Sequence, residues 1–204
     1  MHARPVVGAF FLKLLYDRAT WEKWAKRDAT KAAGWAVFPD AKYVPPPVPD
    51  TVTPVVPTAN LKGAQWLYTT VNPGPRWFST LYKPQPTAWK SGWSGFGTPT
   101  TPGSSVRTIW DTSDIWLRRE VVLPPGTDLR RLHLIVHHDE DVEIYLNGAL
   151  AAKEEGFLTR YEPVPILPAA KAALKIGRNL IAVHCHQSGG GQFVDVGLAT
   201  VTFK

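Results

Sequence analysis

The sequence predicts an all-β chain: an antiparallel β-sandwich with a short helical N-terminal extension. Three observations carry that prediction. Apolar and polar residues alternate along Ile115–Val122, Leu132–His138 and Val142–Leu146, the period-two pattern of strands with one buried face. Val142–Leu146 then runs into Asn147-Gly148, a pair that tolerates positive φ at both positions and so closes two-residue hairpins. Similar runs recur at Leu180–His186 and Phe193–Phe203, with turn residues between them, giving seven or eight short strands. Many short strands punctuated by turns build sandwiches or jelly rolls.

The elements follow in chain order. Over residues 5–33, Phe10, Phe11, Leu14, Leu15, Trp21, Trp24 and Ala25 recur at three- and four-residue steps among Lys and Arg, which reads as helix. Asp17 or Thr20 caps a break within it, and Gly34 is a stop signal. Residues 39–60 carry prolines at 39, 45, 46, 47, 49, 54 and 57. Proline fixes φ and removes an N–H donor, so this stretch reads as an extended, semi-rigid linker. The predicted organisation is a helical extension over 1–38, a Pro-rich linker over 39–60 and a sandwich over 61–204. Within the sandwich, Gln65–Thr70 reads as a strand and Asn72–Pro75 as a turn. Trp77–Gly97 reads as irregular, and Pro168–Leu174 as a helical turn.

Composition narrows the function classes. The net charge is +6, but residues 1–38 hold seven Lys/Arg against three Asp/Glu, leaving 16 against 14 in the rest. The β region therefore has no basic stripe, which argues against a nucleic-acid partner. No stretch approaches the ~20 apolar residues of a membrane helix. Val6–Leu12 follows Arg4 as a signal peptide would, but Lys13 interrupts it and no small-residue cleavage site follows closely. Cys185 is the one cysteine, so an intrachain disulfide is impossible and the redox compartment stays open. Its apolar neighbours read it as a small buried hydrophobe.

Seven segments, in order, carry a resemblance. They are Trp66-Leu67-Tyr68, Trp89-Lys90-Ser91-Gly92, Gly95-Phe96-Gly97, Ile115–Glu120, Val142–Gly148, Gly177–Val183 and Asp195-Val196-Gly197-Leu198. Their order and spacing over about 61–204 resemble the sugar-binding jelly-roll domain of family-2 glycoside hydrolases, one of the galactose-binding-like β-sandwiches. The resemblance implies a non-catalytic carbohydrate-binding or accessory module of a larger, exported carbohydrate-active hydrolase. Its partners would be a glycan or polysaccharide and a neighbouring catalytic domain. The family's catalytic barrel has no counterpart in this chain, so hydrolysis does not carry over. The N-terminal segment PVVGAFFLKLLYDRATWEKWAKRD distantly resembles the C-terminal helices of glutaminase-A-like proteins.

Candidate site residues follow from chemistry and from the resemblance. Trp66, Trp89 and Trp116 lie at positions that pack in the family. Trp77, Trp93 and Trp110 lie in Gly/Pro/Ser-rich sequence and are candidates for stacking on sugar rings, Trp93 and Trp110 foremost, or else for covering the sandwich edge or docking the helical front. The loop His186-Gln187-Ser188-Gly189-Gly190-Gly191-Gln192 matches one that approaches the active-site mouth in the family. Its glycines let backbone approach a ligand, and Gln187 and Gln192 offer donors and acceptors to hydroxyls. Asp139 and Asp141 flank Glu140; they read as polar or calcium ligands, or else as a solvated turn or a partner for Arg118 and Arg119. His133, His137, His138, His184 and His186 are candidate metal ligands or structural imidazoles.

No catalytic residues stand out. Gly92-Trp93-Ser94-Gly95 is not a nucleophile elbow, and Gly189–Gly191 precedes a strand, so it is no phosphate cradle. No acidic pair is marked for glycoside hydrolysis. Two alternatives stand beside the binding module. One is a purely structural domain bracing a catalytic neighbour. The other is a small stand-alone hydrolase, which requires a concave pocket holding His138 or His186 beside a carboxylate.

Overall fold

In the computed structural model, residues 49–99 and 101–203 are described. The helical extension expected over 1–38, and residues 39–48 of the expected linker, lie outside them. The alternating segments form two six-stranded sheets. Before the midpoint come β1 (Pro49–Val56), β2 (Gln65–Thr69), β3 (Lys90–Trp93), β4 (Phe96–Gly97), β5 (Thr108–Ile109) and β6 (Asp114–Leu123). After it come β7 (Leu132–Asp139), β8 (Asp141–Leu146), β9 (Ala149–Glu154), β10 (Glu162–Pro165), α1 (Pro168–Ala173), β11 (Gly177–His186) and β12 (Phe193–Phe203). One sheet runs β10-β7-β12-β4-β5, with β1 also pairing β12; the other runs β3-β2-β6-β11-β8-β9.

Period-two alternation explains the core. Ile115, Leu117, Val121 and Leu123 of β6 point inward beside Ile181, Val183 and Cys185 of β11. From the other sheet Leu132, Leu134 and Val136 of β7 meet them, with Val194, Val196 and Leu198 of β12. Each such side chain contributes roughly 1.5–3 kcal/mol by leaving water. Cys185 is fully buried among them, as its neighbours predicted.

The outward face of the β6–β11 sheet is covered as well. Residues 70–89 leave the sheet and return, placing Trp77 and Trp89 over Trp116 and Ala182. Arg118 pins this excursion. It donates to the carbonyl of Trp77 and to that of Ser79 at 3.1 Å, and its guanidinium lies 5.3 Å from the Tyr82 ring centre. Phe78 stacks on Tyr145 with ring centres 4.1 Å apart. The packing roles expected for Trp66, Trp89 and Trp116 hold, since all three are buried.

The predicted hairpin forms between β8 and β9. Asn147 and Gly148 take φ values of 49° and 89°, as a two-residue loop of the primed type requires. The Asn147 side chain adds long-range ties. Its Nδ2 donates to Ala173 O and Asn179 Oδ1, and its Oδ1 accepts from Leu180 N at 2.8 Å. The expected helical turn is α1, which begins at Pro168, where a missing N–H costs nothing.

The structure corrects three expectations. Residues 49–56 are not linker: they form β1, antiparallel to β12, and the compact unit begins at Pro49. Pro49 and Pro54 fit because β1 lies at a sheet edge, where a lost N–H breaks no second ladder. The segment 77–97, expected to be irregular, contains β3 and β4. The pairing is antiparallel throughout except between β4 and β5, which run parallel over two residues.

Gly95 sets the crossing from β3 to β4. It takes a φ of 86°, and a Cβ there would lie 2.0 Å from the Ser105 carbonyl oxygen. Gly74 has a similar φ of 81° with open space around it. Gly74→Ala should therefore cost about 1 kcal/mol from the backbone alone, and Gly95→Ala at least twice that. Urea denaturation of the two variants checks the difference.

Candidate functional site

At one end of the sandwich, β7 stops at Asp139 and β8 starts at Asp141, so Glu140 forms the turn between them. On the facing side the chain passes from β11 to β12 through residues 187–192. Because Phe193 pairs with Asp139, that loop is held directly above the turn. A cleft of about 330 Å³ opens between them. Asp139 and Glu140 line it from the turn, Gly189–Gly191 from the loop, and Thr101 with Pro102 from a third segment. Phe157 and Thr159 close the remaining side. Phe157 is held there by a backbone bridge to Asp139 and by the Leu158 N–H, which donates to His138 O at 2.8 Å.

The loop is shaped by its own polar groups. Thr101 Oγ1 donates to Gln192 O at 3.0 Å and accepts from Gln192 N at 2.7 Å. The Gln192 side chain donates to Thr112 O at 2.6 Å, and the Gln187 side chain to Gly191 O at 2.5 Å. Ser188 Oγ donates to the Glu140 carboxylate at 2.5 Å, tying the loop to the turn. Gly191 must lack a side chain, since a Cβ there would lie 2.3 Å from Asp139 Oδ2 and 3.2 Å from Thr101 Oγ1.

Asp139 is 8% exposed. Among the described residues no side chain or N–H donates to its carboxylate. Burial, reinforced by the neighbouring Glu140 carboxylate, holds its pKa above the usual aspartate range. Behind it, the fully buried His137 ring sits between Phe193 and Tyr161, at 4.7 Å and 5.3 Å between ring centres. Neither His137 nitrogen has a well-directed hydrogen bond among the described residues, and burial pulls the imidazole down to about 4. Tyr161 donates to the buried Asp195 carboxylate at 2.9 Å, and Ala59 N donates to the same oxygen at 2.6 Å.

The structure distributes the predicted site residues unevenly. Asp139 and the glycines of the loop come together at the cleft. Trp110 does not belong to any binding surface: it is 1% exposed within the core, with its indole N–H donating to Thr112 Oγ1 at 3.1 Å. The side-chain N–H groups of Gln187 and Gln192 go to backbone carbonyls, while Gln187 Oε1 is buried without a partner among the described residues. Ser188 is likewise engaged, with Glu140. Trp93 is 50% exposed on edge strand β3 and does not line the cleft.

The histidines separate too. His186 lies on the outward face of the other sheet, where its Nδ1 meets Asp114 Oδ1 at 3.0 Å. His184 Nε2 reaches the same oxygen at 2.8 Å while its ring stacks on Trp116 at 4.7 Å. His138 points into the sandwich, with Nδ1 against Glu140 O. Asp141 is exposed and accepts from the Gly156 N–H at 2.8 Å. Among the described residues no three His, Cys, Asp or Glu side chains converge as a metal-ligand set.

Phe157 and Thr101 went unrecognised in the sequence. Phe157 had one local signal, an isolated aromatic after Glu154-Glu155-Gly156; its ring is 62% exposed. Chemically, the cleft offers an apolar ring face, backbone without side chains at the glycines, and two carboxylates able to accept hydrogen bonds.

No protein-family model matches this chain, and no curated protein matches it. Among solved structures it is similar to a β-glucuronidase from glycoside hydrolase family 2, with a TM-score of 0.45 and 14% identity over 75% of this chain and 18% of that one. It is similar to Bacteroides uniformis β-glucuronidase, with a TM-score of 0.44 and 16% identity over 68% and 18%. A β-glycosidase from Bacteroides vulgatus gives 0.43 and 16% over 74% and 20%. This chain thus spans at most 20% of each of those three chains.

The His137 pKa has a consequence for stability. The unfolded imidazole takes its proton near the ordinary value of 6.5 and the folded one only near 4. The stability this group contributes is therefore present above pH 6.5 and drains as pH falls toward 4. An NMR titration should find His137 neutral down to about pH 4; a midpoint near 6.5 would show the ring to be solvated.

Proposed function

We propose that this chain is a non-catalytic carbohydrate-binding module of the galactose-binding-like jelly-roll type, serving a larger carbohydrate-active hydrolase. The ligand lies in the end cleft. One observation carries the reading: the exposed Phe157 ring and the largely buried Asp139, whose carboxylate receives no donor among the described residues, line the same cleft. A sugar ring supplies what both need, an apolar C–H face for the ring and hydroxyl donors for the carboxylate. The seven family-like segments of the sequence support this reading, as does the resemblance of the 186–192 loop to the family's mouth-facing loop.

The chemistry of the cleft favours binding over bond cleavage. Asp139 and Glu140 are adjacent in the chain and share one wall, whereas glycoside hydrolysis places its acid and its base or nucleophile on opposite sides of the scissile bond. Neither His138 nor His186 lines the cleft, although the stand-alone hydrolase reading requires one of them beside a carboxylate.

A second role, bracing a catalytic neighbour, draws on a different surface. Val52, Pro54, Ile135 and Pro163 border an apolar groove of about 180 Å³ on the outer side of the β1–β12 sheet. Bracing and binding are compatible, since the two surfaces differ.

Stacking plus a few hydrogen bonds gives an affinity on the order of 1 mM to 1 μM. Calorimetry with soluble oligosaccharides should find binding in that range. Phe157→Ala should weaken it about tenfold while changing stability by less than about 0.5 kcal/mol. Unchanged affinity in that variant would remove the cleft from the binding surface.

A further inference from the structure

We propose that the cleft takes a saccharide unit bearing a free amino group, in preference to neutral sugars, and rejects uronic acids. This inference rests on the binding reading above and specifies its ligand. The charges of the lining decide it. Among the described residues, the ionisable groups that line the cleft are both acids, Asp139 and Glu140, and no Lys, Arg or His lines it. The nearest cation in sequence to its wall, Arg160, is paired with Glu162 at 2.7 Å and does not line the cleft.

The two carboxylates differ in what they lack. Glu140 already accepts from Ser188 Oγ. Asp139 is 8% exposed, lines the cleft, and receives no donor among the described residues. A carboxylate held largely out of water gains more from a cationic donor than from a neutral one. An ammonium supplies up to three N–H groups and the opposite charge, and charge-assisted bonds are about twice as strong as neutral ones. A hydroxyl supplies one neutral donor. A uronate brings a third negative charge into a pocket with no cation to receive it.

Asp139 Oδ2 packs against Gly191, where a Cβ would lie 2.3 Å from it, and Phe157 lines the same cleft with its ring 62% exposed. A pyranose lying on that ring directs an equatorial substituent toward the floor. General attraction of polycations does not explain such a preference, because the whole chain carries a net charge of +6 and repels a cationic oligomer at long range.

Calorimetry with four β-1,4-linked hexasaccharides of equal length tests this: glucosamine, N-acetylglucosamine, glucose and a hexuronate. The glucosamine oligomer should bind about tenfold or more tightly than the glucose oligomer, with the hexuronate weakest. Acetylation, which removes the charge and two of the three N–H donors, should erase the advantage on the unaltered chain. Asp139→Asn should bring glucosamine and glucose within about threefold of each other. The acetylated ligand gives the same information if that variant does not fold. Equal binding of glucosamine and glucose, or tightest binding of the hexuronate, overturns the amino-sugar inference and leaves the glycan reading standing. Binding of none of the four removes the glycan reading and this inference together.

Discussion

One hydroxyl organises the functional end of this protein. Thr101 Oγ1 donates to the carbonyl of Gln192 and accepts from the N–H of the same residue, so a single side chain satisfies both backbone groups at the entry to β12. Both partners are buried, and a buried backbone group left unpaired costs about 1–3 kcal/mol. The same carbonyl accepts from Thr98 N, and the Gln192 amide reaches Thr112. Three stretches far apart in sequence, 98–101, 112 and 192, are thereby fixed at one point. The position of Gly191 over Asp139 follows from that clamp, and the cleft follows from Gly191.

The sandwich behind the clamp supplies rigidity and little else. Its interior is closed by inward side chains from β6, β11, β7 and β12, and close packing leaves no room there for a ligand. The outward face of one sheet is occupied by the 70–89 excursion, locked by Arg118. Beside the groove on the outer face of the other sheet, the loops at the strand ends are open, and rigid scaffolds commonly place recognition there. Asp139 belongs to both worlds. Its backbone pairs with Phe193 in the ladder, while its carboxylate faces the cleft. The sheet thus holds a group in a position that solvation alone would not favour.

The sequence was legible where one local rule governed a residue. Phe193–Phe203 was expected and observed with the same limits, and the other long strands differ by at most three residues at either end, because alternation is decided by the two faces alone. Asn147-Gly148 was readable for the same reason: only a turn with positive φ at both positions uses that pair so well. Proline density misled at β1, since Pro49 and Pro54 signal a linker unless the strand lies at an edge, and edge position is a tertiary fact. Trp110 sat in loop-like sequence yet became core, because the chain around it folds over the sheet end. Gln187 and Gln192 were read as ligand groups, but an amide serves a backbone carbonyl as readily as a hydroxyl. Phe157 and Thr101 became site residues only when segments more than fifty residues apart met, which no spacing rule records.

A backbone amide NMR titration of this chain with a soluble oligosaccharide tests the central claim most directly. The end-cleft reading predicts saturable shifts concentrated at Asp139, Glu140, Phe157 and Gly189–Gly191, with Trp93 and the groove beside Val52 unmoved. Shifts centred on Trp93 or on the outer sheet face, or none at millimolar sugar, would contradict it.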